Sequence, residues 1–469
     1  MSNRTWLAVV VALLSVCSDS HAVAPTILDG ITASGLQVGL DPQNHPVLLE
    51  DGTGAQTMEE RLRSLADWCK TTWEGTTTIE STETVTLPGP RAITVSWKPV
   101  ANTLVQLGDS IIIATSFGGL TADARAGNGI MIAGVYALGP SSFSAPAFAT
   151  NLAIGRANAV AGNAGAGAPF VGGNANAIGA SDHANAVGGD GSQNGKGGDA
   201  YTSAPVAFAI AGNGGGIAAG PNGSRGGEAK AEGISYAFSR AGAGGPGQVV
   251  GGLGGVSKAT AAGVEGQVTA EAYGGNGGDA GAAAQQGGVG GPATAEAPSG
   301  HAEAEGGKGG SCNNQGGAGG EAVATGDSAS ARGGPGGESV TRGGKGGKGT
   351  ATGAFEAYAY GGNGPDARHA GAGGDAEATA QGGPCEAHGG VGGTGGANGS
   401  GGHGGRAKAT GGGNTATGGD GGDDTEAFGS GGNGGDSWAP GGTSSPGEGG
   451  AGGTGGPAHD GTDGKDQPW

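Results

Sequence analysis

Aspartates that follow paired glycines are the residues of this chain best placed to do chemistry. Residues 431–439 read G-G-N-G-G-D-S-W-A, which fits the nonapeptide that gathers aspartates and carbonyl oxygens around calcium in parallel β-rolls. The first half of that pattern also ends at Asp279 and Asp423, as it does at Asp436. A β-roll needs tandem copies, and each copy here stands alone. The three aspartates are therefore calcium candidates, and the favoured alternative is a glycine block followed by a solubilising aspartate.

Histidines and cysteines have no spacing that suggests catalysis. The eight histidines are scattered, and none lies at the i, i+4 spacing of a zinc-binding helix. No cysteine has a general base nearby in sequence. Glycine loops that resemble phosphate cradles occur throughout, but none follows a strand and opens a helix with a Lys-Ser or Lys-Thr end. The sequence therefore favours a protein that is not an enzyme and that needs no cofactor.

The N-terminus predicts export. Arg4 precedes an apolar run over residues 6–16, and Ser20-His21-Ala22 is a small-x-small cleavage site, so residues 1–22 are predicted to be a signal peptide. No later stretch is long and apolar enough for a membrane span. Two Asn-x-Ser sequons, at Asn222 and Asn398, would accept glycans only in a eukaryotic secretory pathway.

Three cysteines remain after the predicted cleavage: Cys69, Cys312 and Cys385. Cys312 and Cys385 could pair across the repeats, which would leave Cys69 for a disulfide with a partner chain or for burial as a small hydrophobe. The formal net charge of −19 argues against nucleic acid as a partner. We expect self-association or binding to extracellular surface or matrix components instead.

Residues 23–140 have the composition of an ordinary small domain. Thr57 and Glu60 form a capping box, and Met58, Leu62, Leu65, Cys69 and Trp73 fall on one face of a predicted helix. Strand-like runs follow at residues 77–87, 92–97, 103–107 and 111–115. We expect a small α+β or mostly β domain here, either a cap or the first coils of a β-solenoid.

Residues 141–211 repeat a pattern of alternating small residues. Residues 157–160, 175–179 and 184–188 read A-N-A-V, A-N-A-I-G and A-N-A-V-G. Such alternation suits a tight β-solenoid whose alanines point inward. The pattern resembles the alanine and glycine repeats in the head regions of trimeric autotransporter adhesins, and this resemblance concerns geometry only.

Residues 212–456 form a glycine-rich repeat, and a polar tail spans 457–469. A-E-A-Y-G-G-N-G-G at residues 270–278 recurs at 302–310, 329–337 and 357–365, where Pro365 replaces the last glycine. Degenerate copies begin at Ala378 and Ala407, and further Gly-Gly-x-Gly-Gly blocks lie between the copies. The sequence therefore specifies a periodic structure with loops of variable length.

Two architectures fit this repeat. In a polyproline II helix, which turns once in three residues, a Gly-Gly-x period leaves two bare faces for neighbouring backbones. The repeat is therefore predicted to form a polyglycine II bundle or a tight β-solenoid. The alternative is a partly disordered tail, because glycine makes up 117 of 469 residues and large apolar residues are few. The paired glycines and the scarcity of proline argue against a collagen triple helix.

The Gly-Gly-x-Gly-Gly tracts, for example residues 316–320 and 389–393, resemble the glycine-rich region of the mycobacterial PE surface proteins. More loosely, they are similar to the polyglycine bundles of some phage tail adhesins and of the springtail antifreeze protein. The helical PE domain has no counterpart here, because the predicted signal peptide stands in its place. The resemblance implies a secreted or surface-displayed bundle and carries over no functional residue.

The predicted function is that of a secreted structural or surface-display protein with an extended glycine-rich scaffold. The alternative is an adhesin, or a module that recognises ice or glycans through the ends or faces of the bundle. Regular threonine or alanine ranks would favour ice. Tyr273, Tyr358 and Tyr360 near the block starts indicate exposed aromatic contacts. The polar x residues are expected to face water or a partner: Glu271, Asn276, Lys308 and Lys345.

Overall fold

The computed structural model describes the chain mainly between residues 156 and 466. The described ranges are 156–161, 163, 171–179, 183–192, 195–216, 221–263, 268–281, 285–424, 429–445 and 459–466, together with the backbone of the strands given below between 26 and 151. The predicted signal peptide and the predicted helix from Met58 to Trp73 lie outside these residues. The described residues are mostly β or extended and contain no helix.

The strands before residue 130 fall into two groups. The first is an antiparallel sheet of β1 (Thr26–Ile27), β2 (Leu36–Leu40) and β3 (Pro46–Asp51). The second comprises β4 (Thr78–Ser81), β5 (Thr84–Thr86), β6 (Ile93–Lys98), β7 (Thr103–Leu107), β8 (Ile111–Ser116) and β9 (Thr121–Ala126). β4, β5 and β6 pair antiparallel, and from β6 onward the pairing becomes parallel.

Of the later strands, all but two continue the second group as a parallel ladder, whereas Ala367–His369 pairs with Gly395–Ser400 in a separate two-stranded sheet. The later strands are β10 (Ala147–Asn151), β11 (Arg156–Val160), β12 (Ala175–Gly179), β13 (His183–Val187), β14 (Ala200–Ser203), β15 (Val206–Ile210), β16 (Ala229–Gly233), β17 (Tyr236–Arg240), β18 (Ser257–Ala261), β19 (Val268–Tyr273), β20 (Ala293–Glu305), β21 (Ala322–Arg332), β22 (Gly349–Tyr360), β23 (Ala367–His369), β24 (Ala376–Ala380), β25 (Cys385–His388), β26 (Gly395–Ser400), β27 (Ala407–Thr410), β28 (Asn414–Thr417), β29 (Ser437–Trp438) and β30 (Thr443–Ser445).

These strands build a parallel β-solenoid with two sheets. Sheet A contains β6, β8, β10, β12, β14, β16, β18, the first halves of β20, β21 and β22, then β24, β27 and β29. Sheet B contains β7, β9, β11, β13, β15, β17, β19, the second halves of β20, β21 and β22, then β25, β28 and β30. Each coil contributes one strand to each sheet.

Alanine fills the space between the two sheets. In β20, Ala293, Ala295, Ala297, Ala302 and Ala304 are buried, and the residues between them are partly or fully exposed. Side chains alternate between the two faces of a strand, so an Ala-x-Ala-x sequence sends every alanine to the same side. The prediction that the alanines point inward is confirmed for the described strands, where they form one continuous core.

A buried serine pair shows that the inner faces of the two sheets touch. Ser239 in sheet B and Ser257 in sheet A stand at positions that alanine occupies in other coils, and their hydroxyl oxygens lie 2.6 Å apart. Ser257 also donates a hydrogen bond to the carbonyl oxygen of Ser239 at 2.8 Å. Both hydroxyls are therefore satisfied inside the core, as most buried polar groups in proteins are.

From residue 188 onward, most of the rest of each coil consists of two glycine rows. Row C is the Gly-Gly-x-Gly-Gly-x segment that follows a sheet B strand, such as residues 306–311, and row D is the one that precedes a sheet A strand, such as residues 316–321. The amide of Gly306 donates to the carbonyl of Arg332 in the next coil at 2.9 Å, whereas that of Gly307 donates to Gly291 in the facing row at 2.9 Å. Backbone bonding thus holds each row to its neighbours in two directions.

The absence of a side chain is what allows this packing. A Cβ atom on Gly306 would lie 2.0 Å from the carbonyl oxygen of Gly320 in the facing row. On Gly307 it would lie 2.0 Å from the carbonyl oxygen of Gly275 in the preceding coil. In residues 306–311 the first glycine of each triplet therefore faces the opposite row, the second faces the preceding coil, and the third residue has room for a side chain.

One chain of glycine-to-glycine hydrogen bonds runs without a break between the rows from Gly173 to Gly435. A second, parallel chain is interrupted at Pro365, which has no amide hydrogen to donate. Pro365 stands in place of the last glycine of its repeat, and its carbonyl still accepts from Gly371 at 2.9 Å. The replacement of glycine by Pro365 therefore costs the solenoid one backbone hydrogen-bond donor and leaves the acceptor in place.

Cys312 and Cys385, whose pairing the sequence left open, are both buried as free thiols and form no disulfide with each other. Cys385 occupies an alanine position on the inner face of sheet B, paired with Ala357, and Cys312 lies at the turn between the glycine rows. Cys69 lies outside the described residues. Among those residues, no helix is long and apolar enough to cross a membrane.

Candidate recognition face on sheet B

Aromatic side chains gather on the outer face of sheet B. Phe208 and Phe238 are register partners in adjacent coils, and Val206 is the partner of Tyr236 in the same two coils. Tyr273 follows in the next coil as the partner of Arg240. These side chains alternate with buried alanines, so the strand period directs all of them outward.

The rings contact each other along the stack of coils. The ring of Phe208 lies 5.2 Å from that of Tyr236 and 6.1 Å from that of Phe238, and Phe238 lies 5.6 Å from Tyr273, with interplanar angles between 41° and 43°. All four side chains are half-buried by one another, and Ile210 beside them is 41% exposed. Together, Val206, Phe208, Ile210, Tyr236, Phe238 and Tyr273 form what we call the aromatic patch.

Three carboxylates border the aromatic patch. Glu271 is the register partner of both Phe238 and Glu303, and Glu305 is the partner of Tyr273. Burial raises the pKa of Tyr273 to about 12, and the charges of Glu303, Glu271 and Glu305 add to this effect. The pKa of Tyr236 is likewise raised to about 12, first by burial and then by the charge of Glu271. Both phenols therefore stay neutral at physiological pH.

Tyr358 and Tyr360 lie on the same face but in a separate cluster. The ring of Tyr360 stacks on His388 with centroids 5.3 Å apart and planes at 5°, and the Arg332 guanidinium lies 5.3 Å from the Tyr360 centroid. Two coils, with Glu303 in one and Arg332 in the other, separate these tyrosines from Tyr273. The structure thus places the three predicted tyrosines on one sheet without bringing them together.

The calcium candidates lie apart. Asp279 and Asp423 belong to row C in different coils, and Asp436 belongs to row D. The Asp279 carboxylate accepts the backbone amide of Ser311 at 2.7 Å, and that of Asp436 accepts the amide of Lys465 at 2.7 Å. Within the described ranges, no group of three or more metal-binding side chains occurs.

These hydrogen bonds belong to a recurring device of the glycine rows. An asparagine or aspartate at the third position of a triplet accepts the backbone amide of the equivalent residue in the next coil, as Asn276 does from Lys308 at 2.9 Å. The same contact joins Asn363 to Val391 and Asp366 to Thr394. The side chain thereby satisfies an outward amide that the row-to-row bonds leave free, as Asx caps do elsewhere.

The outer face of sheet A has a different chemistry. Thr325, Thr352, Thr379 and Thr410 are register partners in four successive coils and form one threonine column. Ion pairs border this column, since Glu377 accepts from Lys348 at 2.9 Å and from Lys408 at 3.3 Å. The threonine column is therefore flanked by charge in the coils of β24 and β27, whereas Val323 and Thr350 flank it in the two preceding coils.

Phe208, Tyr236 and Phe238 were not among the residues predicted to make aromatic contacts. Their signal is present in V-A-F-A-I at residues 206–210 and Y-A-F-S-R at 236–240, which align position for position in the register. A search for aligned aromatic residues in consecutive coils would have found them. Of the predicted outward residues, Asn276, Lys308 and Lys345 are exposed and Glu271 is half-buried.

Comparisons with known proteins leave the family open. No protein-family model matches this chain, and no curated protein matches it. Among solved structures, the nine-helix polyproline type II bundle antifreeze protein of the springtail Granisotoma rainieri aligns at 24% identity over 39% of this chain and 88% of its own. The TM-score of that alignment is 0.08, so it carries no evidence of a shared fold.

Proposed function

We propose that this chain is a secreted, non-catalytic scaffold, a structural or surface-display protein that holds its outer faces in a fixed arrangement. The observation that carries the proposal is the unbroken chain of backbone hydrogen bonds from Gly173 to Gly435. Such bonding needs no large core, so a chain with 4% aromatic residues can remain ordered over many coils. Export rests on the sequence of residues 1–22.

The glycine rows are best interpreted as polyglycine II helices. Three consecutive residues in a row differ in role: one faces the opposite row, one faces the preceding coil and one faces outward. That threefold alternation is the geometry of a helix with three residues per turn. Each coil would then combine two polyglycine II segments with two β-strands, so that both predicted architectures contribute to the same repeat.

Residue-resolved hydrogen exchange on the full chain tests the scaffold. The amides of Gly307 and Gly320, which bond between the rows, should exchange slowly. The amide of Lys308 donates a hydrogen bond to the Asn276 side chain one coil earlier, so it should exchange more slowly than the amide of Ala318. The residue one coil before Ala318 is Val289, whose side chain cannot accept a hydrogen bond. Uniformly fast exchange over residues 212–456 would overturn the proposal.

A second function, recognition at an outer face, is favoured by the aromatic patch. Tyrosine and phenylalanine that remain half-exposed on the outer face of a sheet supply contact area at low entropic cost and are typical of binding surfaces. A glycan array tests this function for sheet B. A thermal hysteresis assay tests the threonine column of sheet A for ice binding. If both assays are negative, the scaffold function is the one that remains.

A further inference from the structure

We propose that the aromatic patch and its three carboxylates bind a polysaccharide that carries free amino groups, laid flat across the coils of sheet B. The inference rests on the second function, recognition at this face, and names its ligand. The geometry joins two features that the fold itself does not need. One is a run of apolar rings on the outer surface, and the other is a group of carboxylates beside it.

The apolar part of the site extends over three coils. Phe208, Phe238 and Tyr273 are linked by ring contacts of 5.6 to 6.1 Å, and coils stack about 4.8 Å apart, so the rings form a continuous tilted platform. The alanine core lies on the other side of the same strands, so these rings add nothing to it. Pyranose rings have apolar C–H faces that stack on such platforms.

The carboxylates are placed at a cost to stability. Glu271 and Glu303 are direct register partners, and Glu303 and Glu305 point to the same side of one strand. Like charges on neighbouring strands destabilise a sheet. Among the ion pairs of the described residues, none includes these three carboxylates, although Lys258, Lys348 and Lys408 all pair with glutamates on sheet A. Arg332 is the register partner of Glu305, so the repulsion that a cationic ligand would remove is the one between Glu271 and Glu303.

Charge excludes a second copy of this chain as the occupant. The chain has a net charge of −19, and two copies meeting at this face would bring their carboxylates together. A basic peptide would complement the charge of the three carboxylates, but it would not fit the shape of this face. Peptides bind to exposed sheet edges or to grooves, whereas the strands of the patch, β15, β17 and β19, are paired on both sides.

An amino-sugar polymer satisfies both requirements. Its apolar ring faces pack against Phe208 and Phe238, and its ammonium groups pair with Glu271 and Glu303. An ammonium close to Tyr273 also gains a cation–π interaction with the ring. Glu271 lies 3.5 Å from the Tyr273 hydroxyl, which keeps the carboxylate beside the platform.

The test is retention of the full chain on beads of poly-glucosamine, of its N-acetylated form and of cellulose, in low salt at about pH 6. The wild type should be retained on poly-glucosamine only and should elute with salt. The double variants Phe208→Ala/Phe238→Ala and Glu271→Gln/Glu303→Gln should each bind at least tenfold more weakly. The matched controls lie away from sheet B, Trp438→Ala on sheet A and Glu321→Gln at the end of row D, and should bind like the wild type.

Each contrary result has a distinct meaning. Equal retention on the acetylated polymer or on cellulose would overturn the requirement for amino groups while recognition at this face survives. Release by poly-lysine at a lower concentration than by soluble glucosamine oligomers would identify a peptide site and overturn the inference. Unchanged binding of both double variants, with circular dichroism like that of the wild type, would overturn the site itself.

Discussion

Replacing a single interior glycine tests how the solenoid is held together. A Cβ atom on Gly307 would lie 2.0 Å from the carbonyl oxygen of Gly275 and 2.5 Å from its carbon, both backbone atoms that cannot rotate away. Ordinary contact begins at 3.4 Å. The coils would therefore have to separate locally, which strains the bonds from Gly307 to Gly291 (2.9 Å) and from Gly320 to Gly307 (2.7 Å).

The expected loss for Gly307→Ala follows from these contacts. Overpacking costs about 1–3 kcal/mol, and each buried backbone group left without a partner costs about 1–3 kcal/mol. Alanine returns only about 0.4–1 kcal/mol by restricting the unfolded chain. We expect the free energy of unfolding to fall by about 3 kcal/mol, a large part of the stability of a typical domain.

Urea unfolding followed by circular dichroism measures this loss. The control is Gly412→Ala, at a turn where no atom lies within 4 Å of the position of the added Cβ atom, so the free energy of unfolding should change by less than about 0.5 kcal/mol. If the two variants unfold within 0.5 kcal/mol of each other, close backbone approach is not what orders the glycine rows, and the reasoning fails.

Three further predictions concern the sheets. Ala302→Leu should lower the free energy of unfolding by about 1–3 kcal/mol, because Ala302 has no exposed surface and the facing sheet leaves no space, and thermal unfolding measures the change. The hydrogen bond from Lys348 lowers the pKa of Glu377; burial opposes this shift and Lys408 adds to it. The contribution of Glu377 to the free energy of unfolding is therefore present above its unfolded pKa of about 4.3 and is lost as pH falls through the lower folded pKa. Glu377→Gln should therefore flatten the acid limb of a stability–pH curve, and an unchanged limb would contradict the assignment. Cys385→Ala should change stability by less than about 1.5 kcal/mol, since Cys385 occupies an alanine position, and a larger loss in denaturant titration would indicate a further role for the thiol.

Alternation made the inner face of the sheets predictable. Ala302 and Ala304 are separated by Glu303, and a period of two leaves only one way to bury both alanines. The period of three in Gly-Gly-x likewise predicted two bare faces and one outward side chain, as observed at Gly306, Gly307 and Lys308.

The candidate site was less predictable, because it depends on register. Tyr273 was identified as an outward residue, but Phe238, its contact at 5.6 Å, lies in another coil. The number of residues per coil varies, so the sequence does not show which side chains become neighbours. The cysteines show the same limit, since Cys312 and Cys385 share a repeat region but lie at different positions in the coil, one at a turn and one in the core.

The sequence by itself therefore determined the local features of each coil: which residues face inward, where backbones can approach each other, and the excess of negative charge. The tertiary structure alone decided how the residues of one coil align with those of the next. Parallel pairing placed Phe208 over Phe238 and Glu271 over Glu303, and it turned the aspartates of the glycine blocks into acceptors for the next coil. The physical reason is that neighbours across coils are separated by loops of variable length, and only hydrogen bonding between coils sets their register.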